Sequence, residues 1–219
     1  YQASVDRLRE ILPALFKHYK NPAFLWSNLD DSIKFDNRFR AYREQFTQPE
    51  TWSDGTVVFF CGKGYEEWGP HTLDKGMGGS EEAIVYLSRE LAKLGKRVTV
   101  FGEVPKAYDD YVSKNKFVAW RPWKHIDKRD TFDTLVIWRA PQFADQFKAK
   151  KILIDMHDKL PVKVVRPLDN ATYMFKSQYH KNLYPEVTKS EVVPNGVLVE
   201  QFDKEYKKKK YSVGYFSAY

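Results

Sequence analysis

Thr56-Val57-Val58-Phe59-Phe60-Cys61 is an unbroken β-branched and aromatic run that stops at Gly62. Such a run, bounded by a turn former, is what a strand buried on both faces of a parallel sheet requires. Downstream, Ala83, Ile84, Leu87, Leu91 and Leu94 fall at helical spacing between Ser80 and Leu94, and Gly95 stands where that helix should end. Arg97-Val98-Thr99-Val100-Phe101 then reads as the next strand. Strand, loop, helix and strand in this order, with a right-handed crossover, are the founding unit of a doubly wound sheet.

Working outward, further strands are expected at Lys116 to Ala119, Thr134 to Trp138, Lys151 to Asp155, Ala171 to Phe175 and Glu191 to Val193. Short helices are expected around Gln142 to Phe147 and Gln178 to Leu183. Upstream, Val5, Leu8, Ile11, Leu12, Leu15 and Phe16 share one helical face, with Pro13 an expected irregularity. A weaker pattern runs through Phe35, Phe39, Tyr42 and Phe46, and no chemistry is assigned to this part. The expected fold is therefore α/β, a Rossmann-like parallel sheet flanked by helices, with an N-terminal helical extension. Residues 1–52 form the extension and linker, 53–199 the Rossmann-like domain, and 200–219 a polar linker leading to a further strand. The Lys207 to Lys210 run reads as solvated linker, and both chain ends read as cuts in a longer protein.

At 42% hydrophobic and 16% aromatic residues, the 219-residue chain carries enough apolar surface for a real core. No run approaches the ~18 consecutive apolar residues that a membrane-spanning helix needs, and no secretory leader pattern opens the chain. A cytoplasmic location is expected. The lone Cys61 excludes an internal disulfide, and His18, His71, His125, His157 and His180 are too scattered for metal-ligand spacing, so no metal is expected. The formal charge of +7 suits anionic ligands, and leaves peripheral association with an anionic lipid surface open. Nucleic acid is not an expected partner.

The segment after the first strand carries the chemistry. Gly62-Lys63-Gly64-Tyr65-Glu66-Glu67 begins like a dinucleotide fingerprint, but Glu67 stands where a third glycine should let helix and sheet pack. The stretch from Gly62 to Gly79 is also far longer than the usual βα turn of about two to six residues, and long loops at a strand's carboxyl end usually serve binding. It closes on Gly78-Gly79-Ser80 immediately before the helix. Glycines there admit a ligand to backbone N–H groups, and the helix end adds partial positive charge, so a diphosphate is the ligand read from these residues. A plain turn with Ser80 as helix cap is the competing reading.

With these features in place, the chain resembles glycosyltransferase family 4 and its relatives of two-Rossmann (GT-B) architecture. The resemblance rests on Gly78-Gly79-Ser80-Glu81 and the helix that follows, on Leu91 to Phe101, on Ile152-Leu153-Ile154-Asp155-Met156-His157-Asp158, and on Val192-Val193-Pro194-Asn195-Gly196-Val197 with Phe202. Lys96 and Leu198 depart from the family's usual histidine and aspartate. The resemblance implies the N-terminal, acceptor-side half of a retaining glycosyltransferase. Such an enzyme takes a sugar from a nucleotide-diphosphate donor, a co-substrate rather than a cofactor, and passes it to a carbohydrate or other hydroxyl acceptor. It further implies a missing C-terminal Rossmann-like domain, beginning near Tyr211 to Phe216, without which this chain turns over nothing.

His157 is the catalytic candidate, placed by the resemblance near the transferring sugar and suited to hydrogen bonding or proton transfer. Gly78, Gly79 and Ser80 are the candidates for the donor phosphates. Asp158, Arg139, Trp68 and His71 are candidates for the acceptor or the cleft: Asp158 to orient His157 or a hydroxyl, Arg139 to meet an anion, and the two rings to stack on a sugar. A salt bridge for Arg139 and loop packing for the aromatic rings compete with those roles. Ser177 reads as a helix cap and Asn195-Gly196 as a turn with positive φ. An NAD- or nucleotide-dependent Rossmann enzyme such as an epimerase is the rival activity, and a non-catalytic sugar- or protein-binding module the rival class.

Overall fold

The computed structural model describes residues 2–196. The expectations about Leu198, Phe202, Lys207 to Lys210 and the strand near Tyr211 lie outside the described residues.

Among the described residues, eight strands form one sheet, α/β in class and flanked by helices. They are β1 (Thr56–Phe60), β2 (Arg97–Gly102), β3 (Tyr108–Ser113), β4 (Lys116–Pro122), β5 (Thr131–Trp138), β6 (Lys148–Met156), β7 (Ala171–Phe175) and β8 (Ser190–Val192). Their order is β3-β4-β2-β1-β5-β6-β7-β8, parallel throughout except for the antiparallel β3–β4 pair. The chain starts at the centre, moves outward through β2 and β4, then returns to the other side of β1 as β5. The carboxyl ends of β1 and β5 therefore flank the point where the winding direction reverses, where ligands of open α/β sheets bind.

Strand alternation sorts the sheet residues onto two faces. On one, Phe59, Val98, Val100, Val118, Trp120, Val136 and Trp138 pack with Ile84 and Val85 of the helix Gly79–Lys93. On the other, Val58, Phe60, Leu135, Ile137, Ile152, Ile154, Tyr173 and Phe175 pack under Ile126, Phe147 and Tyr184. The first strand is buried at four of its five positions, as the apolar run demands.

The N-terminal part holds four helices, α1 (Gln2–His18), α2 (Pro22–Ser27), α3 (Asp31–Lys34) and α4 (Arg40–Phe46), and Gly79–Lys93 is α5. Val5, Leu12, Phe16, Trp26 and Phe39 give the first four a small core of their own. Pro13 does not interrupt α1: it lies on the exposed face, where water can satisfy the carbonyl that loses its amide partner. No helix among the described residues is long and apolar enough to cross a membrane.

Several boundaries differ from the sequence reading. β4, β5 and β6 run longer than expected, and β3 was not expected at all. Its centre, Asp109-Asp110, carries no apolar signal, and the two carboxylates are paired from outside the strand, Asp110 with Arg89 and Asp109 with Arg121. Such charge suits an edge strand. Gly95 ends α5 at φ +84°, as the helix-end reading requires. Gly196 does not take a left-handed φ, so Asn195-Gly196 is not the positive-φ turn expected. The segment 62–78 is irregular apart from one 3-10 stretch, Pro70–Lys75, and Gly79 already belongs to the helix.

Candidate functional site

Arg139 follows β5 directly, at the reversal point, with φ 62°. Non-glycine residues seldom adopt that left-handed conformation, which costs of order 1–3 kcal/mol and persists where surrounding structure holds it. Here its N–H donates to the Asp155 carbonyl of the neighbouring strand at 2.9 Å. Its guanidinium lies 4.7 Å from the Trp138 ring centroid and bridges two carboxylates. Nη1 meets Glu81 Oε1 at 3.2 Å and Nε meets Asp158. Ser80 Oγ stands 3.5 Å away. One arginine thus ties the start of α5 to the end of β6.

Beneath it lies a second charged set. Asp155, the penultimate residue of β6, is 2% exposed, with Oδ2 3.1 Å from His157 Nε2 and Oδ1 facing the Lys176 ammonium as an ion pair. Burial alone would raise the Asp155 carboxyl. The His157 hydrogen bond and the Lys176 charge outweigh it and hold the group below the ordinary carboxylate range. An ionised carboxylate only accepts, which assigns the proton of that bond to His157 Nε2 and leaves Nδ1 as the other ring nitrogen. The imidazole is 5% exposed and stands edge-on to Trp138 at 6.1 Å between centroids. It can offer a ligand an edge, not a face.

The start of α5 departs from the sequence reading. Gly78, not Ser80, is the N-cap, at φ −62° and ψ 143°, and Gly79 is the first helical residue. Ser80 does not cap the backbone; its hydroxyl donates to Glu81 Oε2 at 2.7 Å. The Glu81 carboxylate turns back over Gly78, inside contact distance of where a methyl group there would sit. The physical reason is that the helix N-terminus and Arg139 attract a negative group to one place, and an internal carboxylate reaches it first.

Of the residues singled out from sequence, Gly78, Gly79, Ser80, Arg139, His157 and Asp158 come together at this edge. Trp68 and His71 do not join them. Trp68 is 3% exposed, wedged between Trp120 and Trp138 at 5.7 and 5.4 Å, so it packs the loop down and has no free face for a sugar. His71 sits beside Tyr108 of β3, its Nδ1 3.2 Å from the phenol oxygen, at the far side of the sheet. Ser177 does cap the short helix α6 (Gln178–Asn182), accepting from the His180 N–H. Asp155 and Lys176 were missed. Their signal was a charged residue closing each of two apolar strands, Ile152-Leu153-Ile154-Asp155 and Ala171 to Lys176.

Cys61 is buried, and burial, with the charges of Asp155 and Glu81, pushes its thiol well up, so it is no nucleophile. Among the described residues, no group of three or more His, Cys, Asp or Glu side chains is arranged to hold a metal ion. No protein-family model, no curated protein and no solved structure matches this chain.

Proposed function

We propose that this chain is the acceptor-side half of a GT-B glycosyltransferase, using a nucleotide-diphosphate sugar and transferring the sugar with retention. The observation that carries the reading is the convergence, at the winding reversal, of a glycine-opened helix N-terminus, Arg139 and the buried His157–Asp155–Lys176 set. The exposed Gly78-Gly79 pair leaves backbone N–H groups open to a diphosphate, and Arg139 supplies a planar donor for it. The donor phosphates take the place of the Glu81 carboxylate, which is freed to swing outward. Asp155 fixes the tautomer and orientation of His157, whose exposed edge meets the sugar. The acceptor hydroxyl enters from the same edge, beside Asp158. The rest of the donor site belongs to a second Rossmann-like domain.

The epimerase alternative is less favoured, because a dinucleotide needs a tight glycine turn under the helix. Here the segment 62–79 is long, and Glu67 holds the place of the third glycine.

The test uses the full-length protein and a panel of nucleotide-diphosphate sugars, with donor affinity by calorimetry and sugar transfer to added acceptors as readouts. Arg139→Gln removes a charge-assisted contact worth about 1.5–3 kcal/mol, a loss of roughly ten- to a hundredfold in donor affinity. Gly79→Val bars the backbone approach and lowers donor affinity at least as far. His157→Ala lowers turnover more than affinity. If no nucleotide sugar binds, or if all three variants behave as wild type, the reading fails.

A further inference from the structure

A second cavity, of about 700 Å³, opens on the opposite face of the same sheet edge. It is bounded by the α3–α4 segment, the β4–β5 connection and Gly62-Lys63 at the end of β1. The sequence reading assigned no chemistry to the helical segment, yet that segment supplies one wall. It is fastened there by the Phe35 ring stacked on His125 at 3.8 Å, and by Arg129, which donates to the Glu44 carbonyl and the Thr47 hydroxyl.

The charge of this cavity is not balanced from within. Its carboxylates are Asp36, Glu44 and Asp127, and each is taken by an arginine of the same wall: Arg38, Arg40 and Arg129 respectively. Arg43, Lys63, Lys124 and Lys128 also line it, and none forms an ion pair with a carboxylate among the described residues. Arg43 donates to the Lys34 carbonyl at 3.3 Å, and Lys128 to the neutral Gln146 side chain. Burial is the main cause that depresses the neighbouring His125, and Lys124, Arg121 and Arg43 add to it against the opposing pull of Asp31. Between these cations lie apolar surfaces, with Phe60 and Phe143 in edge contact at 5.5 Å and Trp123 and Ile126 beside them. The volume falls within the ~300–1,000 Å³ of small-molecule sites.

We propose that this cavity is a binding site for a phosphorylated ring compound, distinct from the Arg139 site and supplied by either a sugar phosphate or a nucleotide. The phosphate is held by Lys63, Lys124 and Lys128, whose compact ammonium groups suit it, and the ring lies against Trp123 and Phe143. Phe60 pairs with Ile137 in the β1–β5 register, two residues before Arg139, so the two sites share one edge from opposite faces. The assignment stands on this cavity alone and does not require glycosyl transfer.

Calorimetric titration of the full chain with glucose 6-phosphate, AMP, inorganic phosphate and glucose tests it. The expected result is that one or both phosphate esters bind at least about tenfold more tightly than inorganic phosphate or glucose, because charge and ring are both read. Preference for glucose 6-phosphate or for AMP identifies the source. The double variant Lys124→Gln/Lys128→Gln weakens that binding at least about tenfold, Lys124→Arg/Lys128→Arg keeps most of it, and Arg139→Gln leaves it unchanged. Both lysines are exposed, so the variants should fold, and a thermal scan checks that they do. Esters that bind no better than inorganic phosphate overturn the proposal. So does binding that survives in the double glutamine variant, or that is lost in Arg139→Gln.

Discussion

The two faces of one sheet edge handle charge in opposite ways. On the α5 face, Arg139 and Lys176 are matched by Glu81, Asp158 and Asp155, with His157 hydrogen-bonded to Asp155, and each cation already has a carboxylate. On the other, four cations remain after every carboxylate has been used. A matched cluster is rigid, and an incoming anion must displace an internal one. An unmatched cluster draws anions without rearrangement and is strongly screened by salt, since it lies within reach of solvent. The first kind of site depends on exchange of partners, the second on standing field.

That contrast breaks most sharply at Asp155. Asp155→Asn leaves the Lys176 ammonium without its buried counter-charge, a class of change that costs about 3–5 kcal/mol. On the opposite face, Lys124→Gln alters stability by no more than about 0.5 kcal/mol, because the side chain is exposed and pairs with no carboxylate. Urea denaturation of both variants compares the faces directly. The folded-state pKa of Asp155 is depressed, so its contribution is present above the unfolded carboxylate value of about 4 and is lost as pH falls through the lower folded value. The gap between wild type and Asp155→Asn therefore narrows in acid. A cost under about 1 kcal/mol at neutral pH would mean that Lys176 escapes to water and that the cluster is not rigid.

How much of this was legible in the sequence follows from how local each signal is. β1, α5 and Gly95 announce themselves through a continuous apolar run, helical spacing and a helix-ending glycine, all within a few residues. The edge strand β3 was hidden because its stabilising partners, Arg89 and Arg121, are supplied by α5 and β4. Arg139 and His157 could be placed at strand ends, but the side-chain direction of Glu81 depends on a guanidinium 58 residues away in the chain. The basic cavity was invisible for the same reason: Phe35 and His125 meet only in the folded chain, and no motif joins them. Trp68 shows the limit of residue-type reasoning. A loop tryptophan suits a sugar or a core equally, and only its burial between two other indoles decides.

A smaller effect separates the faces by pH. Burial first, then the surrounding cations, lower the His125 pKa from 6.5 to about 4, while Asp31 acts in the opposite direction. Between those values the unfolded chain binds a proton that the folded protein refuses, so stability falls as pH drops from about 6.5 towards 4 and levels off below it. Solvent screening of this part-buried ring brings the loss down to about 1–2 kcal/mol. His125→Phe keeps a ring against Phe35 and removes the titration, so the difference in stability between it and wild type should change across that window. A constant difference from pH 4 to 7, in denaturation experiments, would show that neither burial nor the nearby cations disfavour the charged ring of His125.

The smallest effect concerns two adjacent glycines with different surroundings. Gly79 is exposed, lies outside the left-handed region and has nothing within 4 Å of the position a Cβ would take. Gly79→Ala should stabilise the protein by about 0.4–1 kcal/mol, by reducing the freedom of the unfolded chain. Gly78 also has a backbone that alanine can adopt, at φ −62° and ψ 143°, and so gains the same entropy. Its new methyl, however, meets the Glu81 carboxylate. Glu81 must then give up its bond from Ser80 and its pairing with Arg139, a half-exposed interaction worth about 0–1 kcal/mol, and alanine is also a poorer cap than glycine. Gly78→Ala should therefore fall below Gly79→Ala by about 0.5–1.5 kcal/mol, although the two substitutions are identical in chemistry. The double-mutant cycle with Glu81→Ala assigns the cause. If the internal carboxylate holds the helix end, Gly78→Ala costs less when Glu81 is already absent, while Gly79→Ala is the same in both backgrounds. Equal effects of the two glycine substitutions, with no coupling to Glu81, would place the carboxylate elsewhere and leave the matched face with an open anion site after all.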